Sequence, residues 1–180
     1  TQTDEMFKDT INPPKTILAN ISKPDDYAKD IKKKYGLDIS DFLNVRSFLD
    51  HNRTFAEKSE NKYNFTYKTT NSFAWKNQPL DSLAIQNDLV DHFKKWKKYI
   101  QKHGLLVLEL HFTDINKIYS NIGRIPMTAY MATHGFSDQF ILEYDIYKEC
   151  IEKAGLKIEL NYESTFPNKE TQMISINLIR

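Results

Sequence analysis

The sequence predicts an α/β domain with a Rossmann-like, mostly parallel sheet that closes on an antiparallel hairpin. Two observations predict it. Strand-like and helix-like apolar patterns alternate along most of the chain, an order that favours right-handed crossovers and parallel pairing. The last two alternating runs, 156–163 and 172–178, are joined across Pro167, Asn168 and Lys169. That link is too short for a parallel return, so these two strands pair antiparallel.

The elements follow in order. Residues 16–21 are a short apolar run ended by Ser22, Lys23 and Pro24, which suits a buried strand and its exit turn. A helix then runs from Pro24 to about Tyr35. Proline and acids fill its first turn, Lys32, Lys33 and Lys34 its last, and Gly36 follows. Residues 42–45 read as a second strand, leading into the polar stretch 46–53. An irregular insertion at 54–79 includes a hairpin, 63–67 with 72–75, turning at Thr69, Thr70 and Asn71. Leu83, Leu89, Val90, Phe93, Trp96, Tyr99 and Ile100 repeat at helical spacing over 80–101, ended by His103 and Gly104. Residues 105–110, Leu-Leu-Val-Leu-Glu-Leu, are the strongest buried strand. Residues 111–133 show weak periodicity, and a helix is expected over 137–153, stopping at Ala154 and Gly155.

Composition bounds the function. A chain of 180 residues supports one domain with a substantial core. The net charge of +1 gives no general attraction to nucleic acid or acidic membranes. One cysteine, Cys150, excludes an intramolecular disulfide and a Cys-rich zinc site, and no apolar run approaches the ~20 residues of a membrane span. The start has neither the basic nor the apolar region of a signal peptide, so a cytoplasmic setting is expected. It also lacks Met, and the chain is expected to be a piece of a longer one.

The ending of this pattern resembles the class I S-adenosylmethionine-dependent methyltransferases. The resemblance rests on Lys102-His-Gly104-Leu-Leu-Val-Leu-Glu109 before a fifth strand, Glu152-Lys-Ala-Gly155-Leu-Lys-Ile158 before a sixth, and a terminal seventh. Two further stretches, Val45-Arg-Ser-Phe-Leu-Asp-His-Asn-Arg53 and Ala132-Thr-His-Gly-Phe-Ser-Asp-Gln139, are similar to the metal-dependent C-methyltransferase domains of polyketide synthase loading modules, the apratoxin type. The resemblance implies S-adenosylmethionine as cofactor and an Fe2+ or Mn2+ ion held by His134 and Gln139. It also implies a malonyl-type acyl thioester, on a carrier protein, as acceptor. The family's first two strands and its Gly-rich turn have no counterpart here, so this chain matches the later part of the catalytic domain. Residues 16–21 then become the third strand. Asn20 and Ile21 at its end, with Arg46, Ser47 and Phe48 at the end of the next, are the implied cofactor contacts. An absent first strand would leave a sheet edge exposed for another strand or a second copy.

The residues alone leave alternatives. Histidine is a common transition-metal ligand and a lone Gln a weak one. Ser137 could equally cap a helix, with Asp138 in its first turn and His134 on the surface. Asp50 and His51 follow a strand at a carboxyl end of the sheet, where ligands of open α/β sheets bind. They suit a general base, support for a neighbouring group, or loop hydrogen bonding. Arg46 and Arg53 could fork onto a carboxylate or phosphate, or form salt bridges. His111, at the end of the strongest strand, is expected to open toward the cleft and joins Asp50 and His51 as a catalytic candidate. His92 and His103 read as structural, Phe93, Trp96 and Tyr99 as core, and Cys150 as unreactive. Two other functions fit: a noncatalytic methyltransferase-like interaction module, and a metal-independent O- or N-methyltransferase.

Overall fold

A computed structural model describes residues 2–56, 62–125, 134 and 137–180. Its helices are α1 (Gln2–Met6), α2 (Pro24–Tyr35), α3 (Ser82–Ile100), α4 (Ile115–Ser120) and α5 (Tyr144–Lys153). Its strands are β1 (Asn44–Ser47), β2 (Phe73–Trp75), β3 (Gln78–Leu80), β4 (Leu105–Leu110), β5 (Ser164–Phe166) and β6 (Ile174–Ile179). The main sheet has the order β1-β4-β6-β5. β1 and β4 run parallel, Asn44 opposite Leu105 and Ser47 opposite Leu108, while β6 pairs antiparallel with both β4 and β5. A parallel pairing and a closing antiparallel pair are thus both present in a mixed α/β fold, but the strand before the last is Ser164–Phe166 and not 156–163, which holds a 3-10 turn at Leu160–Tyr162 and one isolated bridge from Ile158 to Ile179.

The core forms where α3 and α5 lie together against the sheet. Ile85, Leu89, Phe93, Trp96 and Ile100 recur every three or four residues, so one stripe of α3 is apolar. It packs with Leu105 and Val107 of β4 and with Ile146, Tyr147, Cys150 and Ile151 of α5. Alternation along β4 turns Leu105, Val107 and Glu109 to this buried side. A carboxylate therefore lies in a row otherwise filled by hydrocarbon.

The same helix holds the irregular segment before it through polar side chains. Asn87 Oδ1 accepts from Tyr63 N (2.9 Å), Gln86 Oε1 from Thr69 N (3.2 Å) and Asp88 Oδ1 from Ala56 N (3.0 Å). Buried backbone donors that have no sheet to join are satisfied in this way.

Several elements differ from the sequence reading. Residues 16–21 form no strand; the backbone oxygens of Thr16 and Ile21 accept from Tyr35 and Trp96 side chains instead. The hairpin is β2–β3, turning at Lys76 and Asn77, not 63–67 with 72–75. Both turn residues have positive φ (48° and 60°), the backbone that a tight two-residue hairpin requires. The helix expected over 137–153 begins at Tyr144, with Glu143 rather than Ser137 at its N-cap position. Asp138 takes a positive φ of 55°, incompatible with a first helical turn there. Helix α4 arises inside the weakly periodic region, capped by Asp114 Oδ1 on Asn116 N (2.9 Å). Most of 126–136 lies outside the described residues.

Candidate active site

β1 and β4 run parallel, so their carboxyl ends come out on one side of the molecule, and each delivers a polar group there. Past β1 the chain turns sharply. Phe48, with φ 54°, leads into a tight turn in which Asn52 N donates to Leu49 O (3.1 Å). The turn brings His51 against Glu109 of β4: His51 Nδ1 lies 2.6 Å from Glu109 Oε1. Glu109 Oε2 accepts from Asp50 N (2.8 Å), and Oε1 also accepts from Leu110 N (2.8 Å). The carboxylate thus fixes both the imidazole and the loop that carries it. A carboxylate beside Nδ1 makes that nitrogen the N–H, leaving the lone pair on Nε2. This is the arrangement of a base and its orienting group.

Asp50, next to His51 in the chain, is enclosed by Arg46, His92 and Tyr147. At 1% exposure, its carboxylate pairs with the Arg46 guanidinium, accepts from Tyr147 OH (2.7 Å) and lies 3.2 Å from His92 Nε2. Burial alone would raise its pKa. The charge of Arg46, with the hydrogen bonds of His92 and Tyr147, outweighs that and holds Asp50 well below the usual carboxylate range. Burial lowers His92 to about 4, so it is neutral. Tyr147, desolvated and facing Asp50, is pushed well above its ordinary value and stays a hydroxyl donor.

His111 does not open toward the cleft. It is 1% exposed, enclosed by the rings of Tyr144 and Tyr147, with Nε2 2.7 Å from Ser175 Oγ. Burial lowers it to about 3. Arg53 settles as a structural cation, with Nε donating to Asp88 Oδ2 (2.6 Å) and Nη1 to Asp50 O (2.9 Å). Cys150 is fully buried and its thiol is raised by desolvation, the opposite of a reactive thiolate.

The implied cofactor contacts divide. Asn20, Ile21 and Arg46 border one cavity of about 700 Å3, together with Tyr27, Val45 and Trp96. Asn20 Oδ1 accepts from Ser22 N (2.8 Å). The Arg46 guanidinium lies 4.3 Å from the Trp96 ring centre, and its Nε and Nη2 are buried with no hydrogen-bond partner among the described residues. Ser47 is exposed and Phe48 is 36% exposed, both toward the strand end that carries the loop.

His134 and Gln139 are each half-buried. Phe140, the residue after Gln139, donates its backbone N–H to His51 O (2.8 Å). The Gln139 segment and the His51 loop are therefore joined directly. Among the described residues no three His, Cys, Asp or Glu side chains gather as a cation cluster.

Sequence reasoning passed over Glu109, His92 and Tyr147 as site residues. The signal for Glu109 was present: it occupies the buried phase of the Leu105–Leu110 alternation. His92 and Tyr147 gave none, because helical spacing places both on core faces.

Parallel strands that bring a carboxylate-oriented imidazole to their carboxyl ends suit a group-transfer or proton-abstraction site; the cavity of about 700 Å3 is bordered by Asn20, Ile21 and Arg46 and not by His51. The model of the AprA MT2-like domain family matches residues 1–177, and the chain belongs to that family: it is a methyltransferase of the apratoxin-type polyketide synthase class. No curated protein matches it. Among the described residues no helix is long and apolar enough to cross a membrane.

Proposed function

We propose that this domain moves a methyl group from S-adenosylmethionine to the α-carbon of a malonyl-type acyl thioester presented by a carrier protein, with His51 as the base. The observation that carries this reading is the 2.6 Å contact of His51 Nδ1 with Glu109, which leaves Nε2 to accept a proton. Carbon methylation needs such a base, because the α-carbon must lose its proton before it can act as nucleophile. His51 Nε2 takes that proton and Glu109 stabilises the resulting imidazolium. The enolate carbon then bonds to the methyl carbon as the S–CH3 bond breaks, and the sulfonium's positive charge is cancelled by the electron pair it receives. The cavity beside Asn20, Ile21 and Arg46 is of a size that accommodates part or all of a nucleoside cofactor.

The implied metal passes one test on these residues. Among the described residues, Gln139 Oε1 is a buried acceptor with no hydrogen-bond partner, the state of a carbonyl oxygen suited to a cation. His134 and Gln139 would hold the ion, and an Fe2+ or Mn2+ there would supply Lewis-acid stabilisation of enolate charge. The link from Phe140 N to His51 O joins the residue after Gln139 to the loop that carries the base.

The test is Mn2+ and anaerobic Fe2+ titration of the chain beside His134→Ala and Gln139→Ala, followed by methyl transfer from labelled S-adenosylmethionine to a malonyl thioester. We expect stoichiometric metal binding that both variants lose, and methyl transfer that His51→Ala abolishes. Transfer unaffected by His51→Ala would refute the base. Transfer to oxygen or nitrogen acceptors without metal would replace carbon methylation.

A further inference from the structure

Asn52 is not assigned by any of this, yet it touches the one atom the proposed chemistry needs free. Its Nδ2 lies 3.2 Å from His51 Nε2 and donates to Phe48 O (3.3 Å). With Nδ1 turned to Glu109, Nε2 is an acceptor, so the two N–H bonds of the Asn52 amide go one to each partner. The Phe48 contact fixes the amide, while the other N–H covers the lone pair of the base. Asn52 is exposed, so this covered lone pair stands at the surface end of the site, whereas Glu109 and Asp50 lie behind it.

For His51 to work as a base, the N–H of Asn52 must leave Nε2 and find another acceptor. A carbonyl compound supplies both needs at once. Bond lengths of 1.23 and 1.52 Å place the oxygen and the α-carbon of such a group about 2.4 Å apart. Nδ2 and Nε2 are 3.2 Å apart, so an incoming carbonyl can set its oxygen on Nδ2–H and its α-C–H on Nε2 side by side.

We propose that Asn52 is a catalytic residue: its amide N–H is the oxyanion donor for the acceptor carbonyl, and acceptor binding itself uncovers the base. The inference rests on the reading of His51 as the base of a C–H acid acceptor. In the step, the α-C–H bond breaks, its proton passes to Nε2 and its electron pair forms the enolate, whose oxygen is held by Nδ2–H. Such a donor, preorganised where charge develops, acts mainly on the transition state. It also selects for acceptors with a carbonyl beside the reacting carbon, since a simple alcohol or amine offers no oxygen at that offset.

Exchange of the α-protons of malonyl-N-acetylcysteamine in D2O, followed by proton NMR, isolates this step, because it needs neither S-adenosylmethionine nor methyl transfer. The full chain is compared with Asn52→Ala, Asn52→Asp, which keeps the shape but removes the donor, and His51→Ala. We expect saturated exchange to fall on the order of 10²-fold in both Asn52 variants, with a smaller change in the concentration needed for half-saturation. Removing the amide should also move the 15N resonance of His51 Nε2 in the ligand-free protein. Exchange at the wild-type rate in both Asn52 variants, with His51→Ala inactive, overturns the role of Asn52 and leaves the base intact. Wild-type exchange no faster than buffer, or His51→Ala as fast as wild type, overturns the base and Asn52 together.

Discussion

Asp50→Asn exchanges one oxygen for an NH2 group and removes one charge, at a position only 1% exposed. Its carboxylate faces Arg46 on one side and the Tyr147 hydroxyl at 2.7 Å on the other. Whichever way an amide turns, its NH2 meets one of these donors. The larger loss is electrostatic, for Arg46 is 4% exposed and already has two buried nitrogens without hydrogen-bond partners among the described residues. Removing one member of a buried ion pair costs about 3–5 kcal/mol, because the other charge stays buried and uncompensated. The expected result is a stability loss of that size, with the His51 loop loosened as a consequence. Urea unfolding followed by tryptophan fluorescence measures it, since Arg46 lies over the Trp96 ring and the loss appears as a lower midpoint at constant slope. The double variant Arg46→Met with Asp50→Leu leaves no unpaired charge, so it should be much less destabilised than Asp50→Asn. A loss under about 1 kcal/mol for Asp50→Asn, or a double variant as unstable as the single, would refute the reasoning.

Acid should weaken the fold before the carboxylates titrate. His92 and His111 are buried and lowered to about 4 and about 3 from 6.5, so the unfolded chain binds protons that the folded chain refuses. Stability therefore falls as pH drops from about 6.5 toward 4, by about 3 kcal/mol for His92. Asp50, held low by Arg46, adds its own loss only at more acid pH. Urea midpoints that stay level between pH 7 and 5 would contradict this. Gly104→Ala should cost more than ~2 kcal/mol, read as a fall in Tm. Gly104 has φ 89°, and a Cβ there would stand 2.9 Å from Leu178 Cδ1 and 3.1 Å from Ile179 O.

What the sequence determined by itself was the set of elements with strong, local apolar periods. The run from Leu105 to Leu110 is strand in both readings, and helix α3 differs from its expected range by two residues or fewer, because burial on one stripe or one face is written directly in the residue spacing. The family resemblance was equally local, carried by short motifs that the match over residues 1–177 supports. Tertiary structure decided the rest. The residues 16–21 look like a strand in isolation, but a strand exists only where a neighbour pairs with it, and pairing is not a local property. Ser137 has the chemistry of an N-cap, yet the positive φ of Asp138 and the bond from Phe140 to His51 hold that segment outside the helix. At the candidate site, the place of His51 and Asp50 after a strand was legible. Their different surroundings were not, because these depend on groups 58 and 97 residues away: Glu109, which lies against His51 Nδ1, and Tyr147, which joins Arg46 in enclosing Asp50. Periodicity encodes which face of an element is buried, whereas the partner that meets a charge on that face is set only when separate elements pack together.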